Sequence, residues 1–257
     1  MTTVQSHTRT APDAVWTEVL PLWHAANGQV EEQSDVGFYM RQAAAAARPA
    51  VELGIGYGRV ARWIRPEYGV DPSEGVLRRC VVNVRSTTPL VARAQDYELP
   101  TRAGFTYAPD HLMSLVGGEQ QVVQLLANVH RNTRPRGIFA FDAPVPDWQR
   151  IRSRLDRTLP RGRVGEMLLS YRAELVSYDR AARQGSLRMH HLIERLDVTG
   201  KVCSRIHYPP VSVDYISPRR YRALLEHTGW RIVSYHGGFA GEPLTRDSRS
   251  QVWVVTR

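Results

Sequence analysis

The sequence has little cysteine and no long hydrophobic run. Of its 257 residues, only Cys80 and Cys203 are cysteines, far apart and outside any Cys-x-x-Cys spacing. This excludes a cysteine-based structural zinc site and a disulfide scaffold. No apolar stretch approaches the ~18 residues of a membrane-spanning helix. The first ten residues have neither the basic nor the apolar region of a secretory signal. We therefore expect a cytoplasmic protein with no membrane partner.

Acidic residues are scarce relative to basic ones. The formal net charge is +9 at pH 7. Nearly all of the excess lies in residues 150–220, where fourteen arginines and Lys201 stand against seven acidic residues, a net charge of +8. Such a segment can bind nucleic acid, hold a small phosphorylated substrate or remain solvated. No helix-turn-helix, zinc-finger, RRM or KH pattern accompanies it, so the sequence favours a small molecule over nucleic acid.

The order of the apolar segments predicts an α/β protein with an antiparallel insertion. Short strands alternate with helices over residues 50–142, which is typical of a doubly wound, mostly parallel sheet. After that the apolar and polar side chains alternate, with turn-prone residues between the segments, and this predicts antiparallel strands. The α/β pattern resumes at Ser217, the predicted cap of the last helix. The insertion therefore lies between the fifth strand and the last helix.

These patterns divide the chain into three parts. Residues 1–48 are predicted to form an N-terminal helical cap, with Asp35 capping its second helix. Residues 49–148 and 214–257 form the α/β domain. Residues 149–213 form the antiparallel insertion, which could cover the substrate or contact a second copy in a homodimer.

A glycine-rich loop follows the first strand of the α/β domain. The sequence places three glycines two residues apart after an acid, as Glu52-Leu53-Gly54-Ile55-Gly56-Tyr57-Gly58. Glycine lets the backbone pass close to a ligand. The dinucleotide fingerprint requires its third glycine at position 59, which is Arg59, and the Gly-Lys-Ser/Thr of a P-loop is absent. The spacing therefore disfavours NAD and a nucleoside triphosphate.

A carboxylate ends the next predicted strand. Asp71 lies nineteen residues after Glu52. A carboxylate at this place can accept hydrogen bonds from both hydroxyls of a ribose. Because many cofactors contain a ribose, Asp71 alone does not identify the cofactor, and the glycine spacing has to distinguish between them.

Together these motifs resemble those of the class I S-adenosylmethionine-dependent methyltransferases. The first motif of that family is similar to residues 52–58, the second to 71–77 and the third to 94–97. Residues 35–39, Asp-Val-Gly-Phe-Tyr, and residues 107–142 are similar to stretches before and after these motifs. Arg136 replaces a glycine that is usual in the family, and fewer residues than usual separate the first and second motifs.

The resemblance is nearest to bacterial amino-sugar N-methyltransferases, and covers about residues 35–142 and 214–257. It implies a seven-stranded sheet, S-adenosylmethionine as the cofactor and a small acceptor of specialised metabolism, such as a nucleotide-linked sugar. The cofactor-binding residues that it implies are Tyr39, Glu52, Gly54, Gly56, Gly58, Arg59, Asp71, Pro72, Asp96, Tyr97 and Ala108. The aromatic ring of Tyr39 would lie near the sulfonium.

Candidate catalytic residues follow the fourth strand. His111 could be a general base for a hydroxyl or an amine, and Asp110 is the second candidate. A purely structural place in the loop is open for both. The predicted acceptor-binding residues are Asp142, Trp148, Tyr178 and His190. We predict no metal site, since the pair His190-His191 has no carboxylate or cysteine at ligand spacing.

The sequence thus predicts an S-adenosylmethionine-dependent methyltransferase that acts on a nitrogen or oxygen of a small molecule. Two other functions stay open. The basic segment could belong to a nucleic-acid methyltransferase, and the glycine loop could belong to a non-catalytic subunit that binds the cofactor.

Overall fold

A computed structural model describes residues 4–27 and 32–257. The chain divides into two units, which we name the α/β unit and the antiparallel unit. The α/β unit comprises Gln33–Asp147, Asp179–Gln184 and Asp214–Arg257. The antiparallel unit comprises Met1–Glu32, Trp148–Tyr178 and Gly185–Val213.

The strands and helices alternate along most of the chain. The strands are β1 (Gln5–Thr8), β2 (Ala50–Leu53), β3 (Tyr68–Asp71), β4 (Thr88–Val91), β5 (Ala103–Ala108), β6 (Thr133–Pro144), β7 (Thr158–Val164), β8 (Met167–Asp179), β9 (Gln184–Leu196), β10 (Val202–His207), β11 (Val211–Tyr215), β12 (Arg231–His236) and β13 (Ser250–Thr256). The helices are α1 (Leu20–Asn27), α2 (Glu32–Ala45), α3 (Ala61–Ile64), α4 (Glu74–Asn83), α5 (Glu119–Asn132), α6 (Trp148–Arg152) and α7 (Pro218–His227). A π-helical turn, Val15–Val19, precedes α1, and a 3₁₀ turn, Leu112–Ser114, follows β5.

The α/β unit contains a seven-stranded sheet in the order β12-β13-β6-β5-β2-β3-β4. Strand β2 pairs in parallel with β3 and β5, β3 with β4, and β5 with β6. Strand β13 runs antiparallel to β6 and β12. Every residue of β2 and β5 is buried, as in parallel strands covered on both faces. The predicted doubly wound, mostly parallel sheet is confirmed.

Aromatic side chains fill the core on one side of this sheet. Phe141 stacks on Trp253 with ring centroids 6.3 Å apart and lies 5.5 Å from Tyr221 of α7. Phe139 lies 5.7 Å from Trp230, whose indole N–H donates to the carbonyl of Leu126 in α5. This packing holds β6 and β13 against α5 and α7 on that face of the sheet.

The antiparallel unit contains a six-stranded sheet in the order β1-β10-β9-β8-β7, with β11 also paired to β9. The three strands predicted in the insertion correspond to β8, β9 and β10. The sequence analysis did not find β7 and β11. Strand β7 contains Pro160 and Gly162, which weaken a strand pattern, and its pairing with β8 shifts register between these two residues.

The predicted N-terminal helical cap, residues 1–48, is not one structural part. Residues 1–3 and 28–31 of that segment lie outside the described residues. Residues Gln5–Thr8 form β1, which pairs in parallel with β10, so the expectation of helix was wrong there. Helix α2 begins at Glu32, so Asp35 lies inside the helix and is not its cap.

Two other properties concern the described residues alone. Within residues 4–27 and 32–257, none of the helices combines the length and the apolar character needed to cross a bilayer. In the same ranges, no three His, Cys, Asp or Glu side chains are grouped so that they could hold a metal ion.

One histidine is buried inside the antiparallel sheet. His191 of β9 is 8% exposed, and its Nε2 lies 3.4 Å from Nη1 of Arg161. The guanidinium of Arg161 lies over the ring of Trp23, 4.2 Å from its centroid. Burial first, and then the charge of Arg161, lowers the pKa of His191 to about 4. The imidazole is therefore neutral in the folded protein at neutral pH.

We expect His191 to make the folded protein less stable as the pH falls from about 6.5 to about 4. A histidine in an unfolded chain has a pKa of about 6.5, so in this range the unfolded chain binds a proton that the folded chain does not. A shift to about 4 corresponds to about 3 kcal/mol, fully lost below pH 4. Denaturant unfolding at a series of pH values measures this loss.

His191→Gln should remove this part of the pH dependence, because glutamine does not titrate. The matched control is His7→Gln, a change at an exposed histidine of β1, which should leave the dependence as in the wild type. If the unfolding free energy fell with pH equally in the wild type and in His191→Gln, the burial of His191 would not be the cause of the decline.

Candidate active site

The carboxyl ends of four neighbouring strands meet at one edge of the α/β sheet. Strands β2, β3 and β5 end at Leu53, Asp71 and Ala108, and β6 reaches the same edge at Asp142. Most of the residues singled out in the sequence lie just beyond these ends. In open α/β sheets this edge is where ligands bind.

The glycine loop borders open space at one position. A Cβ atom added to Gly56 would come no closer than 3.9 Å to any atom, and its φ is +56°. In contrast, a Cβ on Gly54 would lie 2.8 Å from Leu112, and one on Gly58 would lie 2.4 Å from Val84. The sequence analysis treated the three glycines alike. The structure shows that Gly54 and Gly58 permit close packing, and that of the three glycines only Gly56 has open space where a Cβ atom would lie.

Asp71 is bound to the same loop. Its Oδ2 accepts a hydrogen bond from the backbone N–H of Gly56 at 3.2 Å, and its Oδ1 accepts one from Ser73 at 2.9 Å. Burial raises the pKa of Asp71, and the two backbone bonds oppose that rise. A carboxylate oxygen can accept more than one bond, so the side chain can still accept from a diol.

An ion pair joins helix α2 to the glycine loop. Nη1 of Arg59 lies 3.0 Å from Oδ1 of Asp35, and Nη2 lies 2.5 Å from Oδ2. Only 17% of the Arg59 side chain and 8% of the Asp35 side chain are exposed. Burial alone would lower the pKa of Arg59, but the bond to Asp35 outweighs it and the pKa is raised. Arg59 therefore anchors the loop, and its guanidinium is committed to Asp35.

A second buried carboxyl lies beneath the loop. Glu52 is 1% exposed, and its Oε2 accepts a hydrogen bond of 2.6 Å from the hydroxyl of Tyr107. Burial raises the pKa of Glu52 to about 8, although Tyr107 and Arg59 oppose the rise. The carboxyl is therefore largely protonated at neutral pH. The described partner of Glu52 is thus Tyr107 of β5, whereas the sequence predicted a contact with the cofactor.

Asp142 connects three elements at this edge. Its Oδ1 accepts a hydrogen bond of 2.6 Å from the hydroxyl of Tyr39. Its Oδ2 accepts one of 3.0 Å from the backbone N–H of His111 and lies 2.7 Å from Nδ1 of the same histidine. Burial would raise the pKa of Asp142, but the charge and hydrogen bonds of His111 and the bond from Tyr39 lower it overall. Asp142 is thus an ionised, buried carboxylate.

The backbone at the candidate catalytic residues is strained. Asp110 and His111 both have φ of +58°, in the left-handed region that residues with a side chain rarely adopt. Such conformations cluster at active sites, where the surrounding structure holds them. Here the bond from the backbone N–H of His111 to Asp142 is one such restraint.

Comparison with known proteins finds similar structures but no matching family model and no matching curated protein. The CcbJ methyltransferase from Streptomyces caelestis is 21% identical, with 89% of this chain and 96% of that chain covered and a TM-score of 0.72.

Two further similar structures are sugar methyltransferases. CalS10 from Micromonospora echinaspora, an amino pentose methyltransferase of calicheamicin biosynthesis, is 14% identical over 93% of this chain and 97% of that chain, with a TM-score of 0.66. The sugar N-methyltransferase KedS8 from Streptoalloteichus sp. is 14% identical over 87% of each chain, with a TM-score of 0.62. The chain has the class I methyltransferase fold. The resemblance found in the sequence is confirmed at the level of the fold.

The other predicted cofactor residues differ in how exposed their side chains are. Pro72 and Asp96 are exposed, and Asp96 accepts a hydrogen bond of 3.0 Å from the backbone N–H of Arg93. Tyr97 was predicted to bind the cofactor. In this structure it is 1% exposed and its side chain packs in the core. Ala108 is also fully buried at the end of β5.

Two residues that were predicted to contact the cofactor or the acceptor, Tyr39 and Asp142, are buried in this structure. Tyr39 is fully buried, and its ring lies 5.1 Å from Phe38 and 5.6 Å from Tyr107. The ring is therefore core packing in this structure and not an open surface for a sulfonium. Asp142 was predicted to contact the acceptor, but it is 1% exposed and bonded to Tyr39 and His111.

The other predicted acceptor-binding residues lie in the antiparallel unit. The rings of Trp148 and Tyr178 are 4.5 Å apart, and the guanidinium of Arg152 lies 4.4 Å from the Tyr178 centroid. Nε2 of His190 lies 3.1 Å from Oε2 of Glu174. A role in acceptor binding stays a prediction for all three.

Sequence reasoning missed the partners of the buried charges. Asp35 and Arg59 are 24 residues apart, and Glu52 and Tyr107 are 55 residues apart. Asp35, Glu52 and Tyr107 lie in segments that the sequence analysis singled out, and Arg59 directly follows the glycine loop. No local pattern shows that they pair, because only the packing of α2 and β5 beside β2 brings them together.

We expect the Asp35–Arg59 pair to show strong energetic coupling. Removing either partner, by Asp35→Asn or Arg59→Met, leaves an uncompensated charge in a mostly buried place and should cost roughly 2–4 kcal/mol of unfolding free energy. A double-mutant cycle from denaturant unfolding should give a coupling of at least about 1 kcal/mol.

The exposed pair Glu74–Arg78 of α4 is the matched control, since both side chains are 68% exposed. The cycle of Glu74→Gln and Arg78→Met should give no more than about 0.5 kcal/mol. Equal coupling free energies in the two cycles would mean that burial does not strengthen the Asp35–Arg59 ion pair.

Proposed function

We propose that this protein is an S-adenosylmethionine-dependent methyltransferase that methylates a nitrogen or an oxygen of a small molecule. One observation carries the proposal. Beside the open backbone of Gly56 lies a carboxylate, Asp71, and a histidine bound to a buried carboxylate, His111 with Asp142, lies at the same edge of the sheet.

The residues at this edge fit the cofactor. The space beside Gly56, which a Cβ atom would occupy, can take the amino-acid part of the cofactor against the backbone. Asp71 can accept hydrogen bonds from the two ribose hydroxyls, while its bonds to Gly56 and Ser73 hold it in place. When bound, S-adenosylmethionine supplies an electrophilic methyl group and leaves with the electron pair of the carbon–sulfur bond.

The chain's own residues have to prepare the acceptor. A hydroxyl must lose its proton as it attacks, and an ammonium group must lose one before its lone pair is free. His111 is the candidate base, because 40% of its side chain is exposed at the sheet edge while Asp142 beside it is buried. Holding the acceptor in line with the methyl group would supply the remaining part of the rate enhancement.

Charge and fold support a small acceptor, for which an anionic compound such as a nucleotide-linked sugar is our candidate. The basic segment 150–220 could hold a phosphate. Within the antiparallel unit several of its arginines have acidic partners: Arg172 with Asp156, Arg188 with Glu174, Arg195 with Glu166 and Arg205 with Glu194. Because these arginines already have acidic partners, they are weaker support for a nucleic-acid backbone as the partner of this segment.

Asp71→Ala should weaken S-adenosylmethionine binding about tenfold or more, because the loss of charge-assisted bonds to a diol costs roughly 1.5–3 kcal/mol each. Isothermal calorimetry measures the affinity. Glu74→Gln, three residues further on an exposed part of α4, is the control and should bind as the wild type does. Unchanged affinity in Asp71→Ala would remove the proposed cofactor site.

His111→Ala should abolish turnover while the cofactor still binds. The assay offers a panel of amino sugars, nucleotide-linked sugars and other small amines and alcohols, and detects labelled product from the methyl group. Full turnover in the variant would mean that His111 is structural. A wild-type protein that binds the cofactor tightly but methylates no compound would instead be a non-catalytic subunit. Methylation of RNA or DNA alone, with binding lost as salt rises, would favour the nucleic-acid alternative.

A further inference from the structure

We propose that Leu112 is a positioning residue that seats the loop after β5, residues 109–118, on the glycine loop and so holds His111 in a fixed position relative to that loop. The use of this arrangement in catalysis rests on the proposed function. The contact between Leu112 and Gly54, from which the proposal is argued, does not depend on that function.

Leu112 occupies the place that a side chain on Gly54 would need. The three atoms nearest to a Cβ built on Gly54 all belong to Leu112, with Cδ1 at 2.8 Å, Cδ2 at 3.3 Å and Cγ at 3.5 Å. Carbon atoms in ordinary contact lie about 3.5–4.0 Å apart. The leucine side chain is therefore packed directly against the backbone of Gly54, and a larger residue at position 54 would displace it.

This contact joins the two loops on which the proposed chemistry depends. Gly54 directly follows β2, and Leu112 follows β5, which pairs with β2 in parallel. The open space of the glycine loop lies at Gly56, two residues after Gly54, and His111 directly precedes Leu112. Leu112 thus connects the loop proposed to hold the cofactor with the residue proposed to be the base.

The turn that contains Leu112 has little freedom to absorb a movement. Leu112 begins a 3₁₀ turn in which the backbone N–H and the hydroxyl of Ser114 both donate to the carbonyl of His111, at 2.9 and 2.8 Å. Met113 and Ser114 are both buried. A displacement of Leu112 is therefore passed on to His111.

The start of the same loop is held by other elements. The backbone N–H of His111 donates to Oδ2 of Asp142 at 3.0 Å, and the carbonyl of Ala108 accepts a hydrogen bond from Tyr39 at 3.3 Å. These bonds join the loop to β6 and α2, whereas the Leu112 contact joins it to the glycine loop. His111, with its left-handed φ of +58°, lies between the two restraints.

Methyl transfer requires such a link between the loops. The methyl donor and the group that takes the acceptor's proton have to meet the same acceptor, so their positions have to agree. A misplacement of about 1 Å can slow an enzyme reaction roughly a hundredfold. To restore an ordinary contact distance to a Cβ at position 54, Leu112 would have to move by about 0.7 Å or more.

Hydrogen exchange of the whole protein, without cofactor, tests the contact. Mass spectrometry follows the exchange of the backbone amides in residues 109–115. Exchange in this segment should become about tenfold faster in Leu112→Ala, because the loop loses an apolar contact that opposes its local opening.

Val123→Ala is the matched control for this variant. Val123 of α5 is also a partly buried apolar residue that packs against the same core. Its replacement should leave exchange in residues 109–115 as in the wild type. Equal exchange rates in the wild type and in Leu112→Ala would overturn the proposal.

A mutant cycle with Gly54 measures whether the two residues act on each other. Gly54→Ala should speed exchange in residues 109–115 about tenfold in the wild-type background, because the new methyl group displaces Leu112. In the Leu112→Ala background the same change should speed it less than about threefold. An equal effect in the two backgrounds would overturn the proposal.

Gly56→Ala is the control for backbone strain in this cycle. Gly54 has a φ of +63° and Gly56 a φ of +56°, so alanine strains the backbone at both positions. A Cβ on Gly56, however, would come no closer than 3.9 Å to any atom. The effect of Gly56→Ala on residues 109–115 should therefore be the same in both backgrounds.

A measurement with S-adenosylmethionine covers the case in which Gly54→Ala does not fold. The cofactor is added to the wild type and to Leu112→Ala at concentrations that calorimetry shows to be saturating. If Leu112 links the loops, the bound cofactor should slow exchange in residues 109–115 about fivefold or more in the wild type and leave it unchanged in Leu112→Ala. A merely structural role of Leu112 predicts equal slowing in both proteins. Equal slowing, or none in the wild type, would overturn the proposal.

These measurements separate the two proposals. A protein that shows the expected mutant cycle but binds no S-adenosylmethionine would refute the proposed function and leave the link between Leu112 and Gly54 standing. An active methyltransferase in which Gly54→Ala acts equally in both backgrounds would refute only the role of Leu112.

Discussion

The candidate site depends on the parallel pairing of β2 with β3 and β5. In a parallel sheet the carboxyl ends of neighbouring strands lie together, and a crossover connection, usually a helix, returns the chain before each new strand. Residues far apart in the sequence therefore meet at one edge. Gly56 and Asp71 come from the first two strand ends, and His111 and Asp142 come from the next two. With a different arrangement of strands, these four residues would lie far from one another.

Buried carboxyl groups are the main energetic cost of this arrangement. Glu52, Asp35 and Asp142 are all buried, and a buried charge without a partner is expensive. The chain reduces the cost in three different ways. Glu52 is largely protonated and bonded to Tyr107, Asp35 forms an ion pair with Arg59, and Asp142 accepts bonds from Tyr39 and His111.

This network explains why several predicted ligand contacts are internal supports. Loops that hold a ligand need fixed positions, and buried hydrogen-bonded groups supply them. Arg59 joins the end of the glycine loop to Asp35 of α2, while Tyr39 and Asp142 hold the loop after β5. Of the side chains at this edge, Asp71 and His111 are the chief candidates for contact with the proposed ligands.

The motifs alone were enough to predict the class of the fold, the glycine loop, the carboxylate at the end of β3 and the antiparallel insertion. These are local properties, because apolar periodicity and the φ values that glycine permits depend on a few neighbouring residues. Several features depended on tertiary structure: strand β1 in a segment predicted as helix, the burial of Tyr39 and Tyr97, and the partners of Asp35 and Asp142. Burial and pairing across 24 to 103 residues depend on which elements pack side by side, and no short stretch of sequence contains that information.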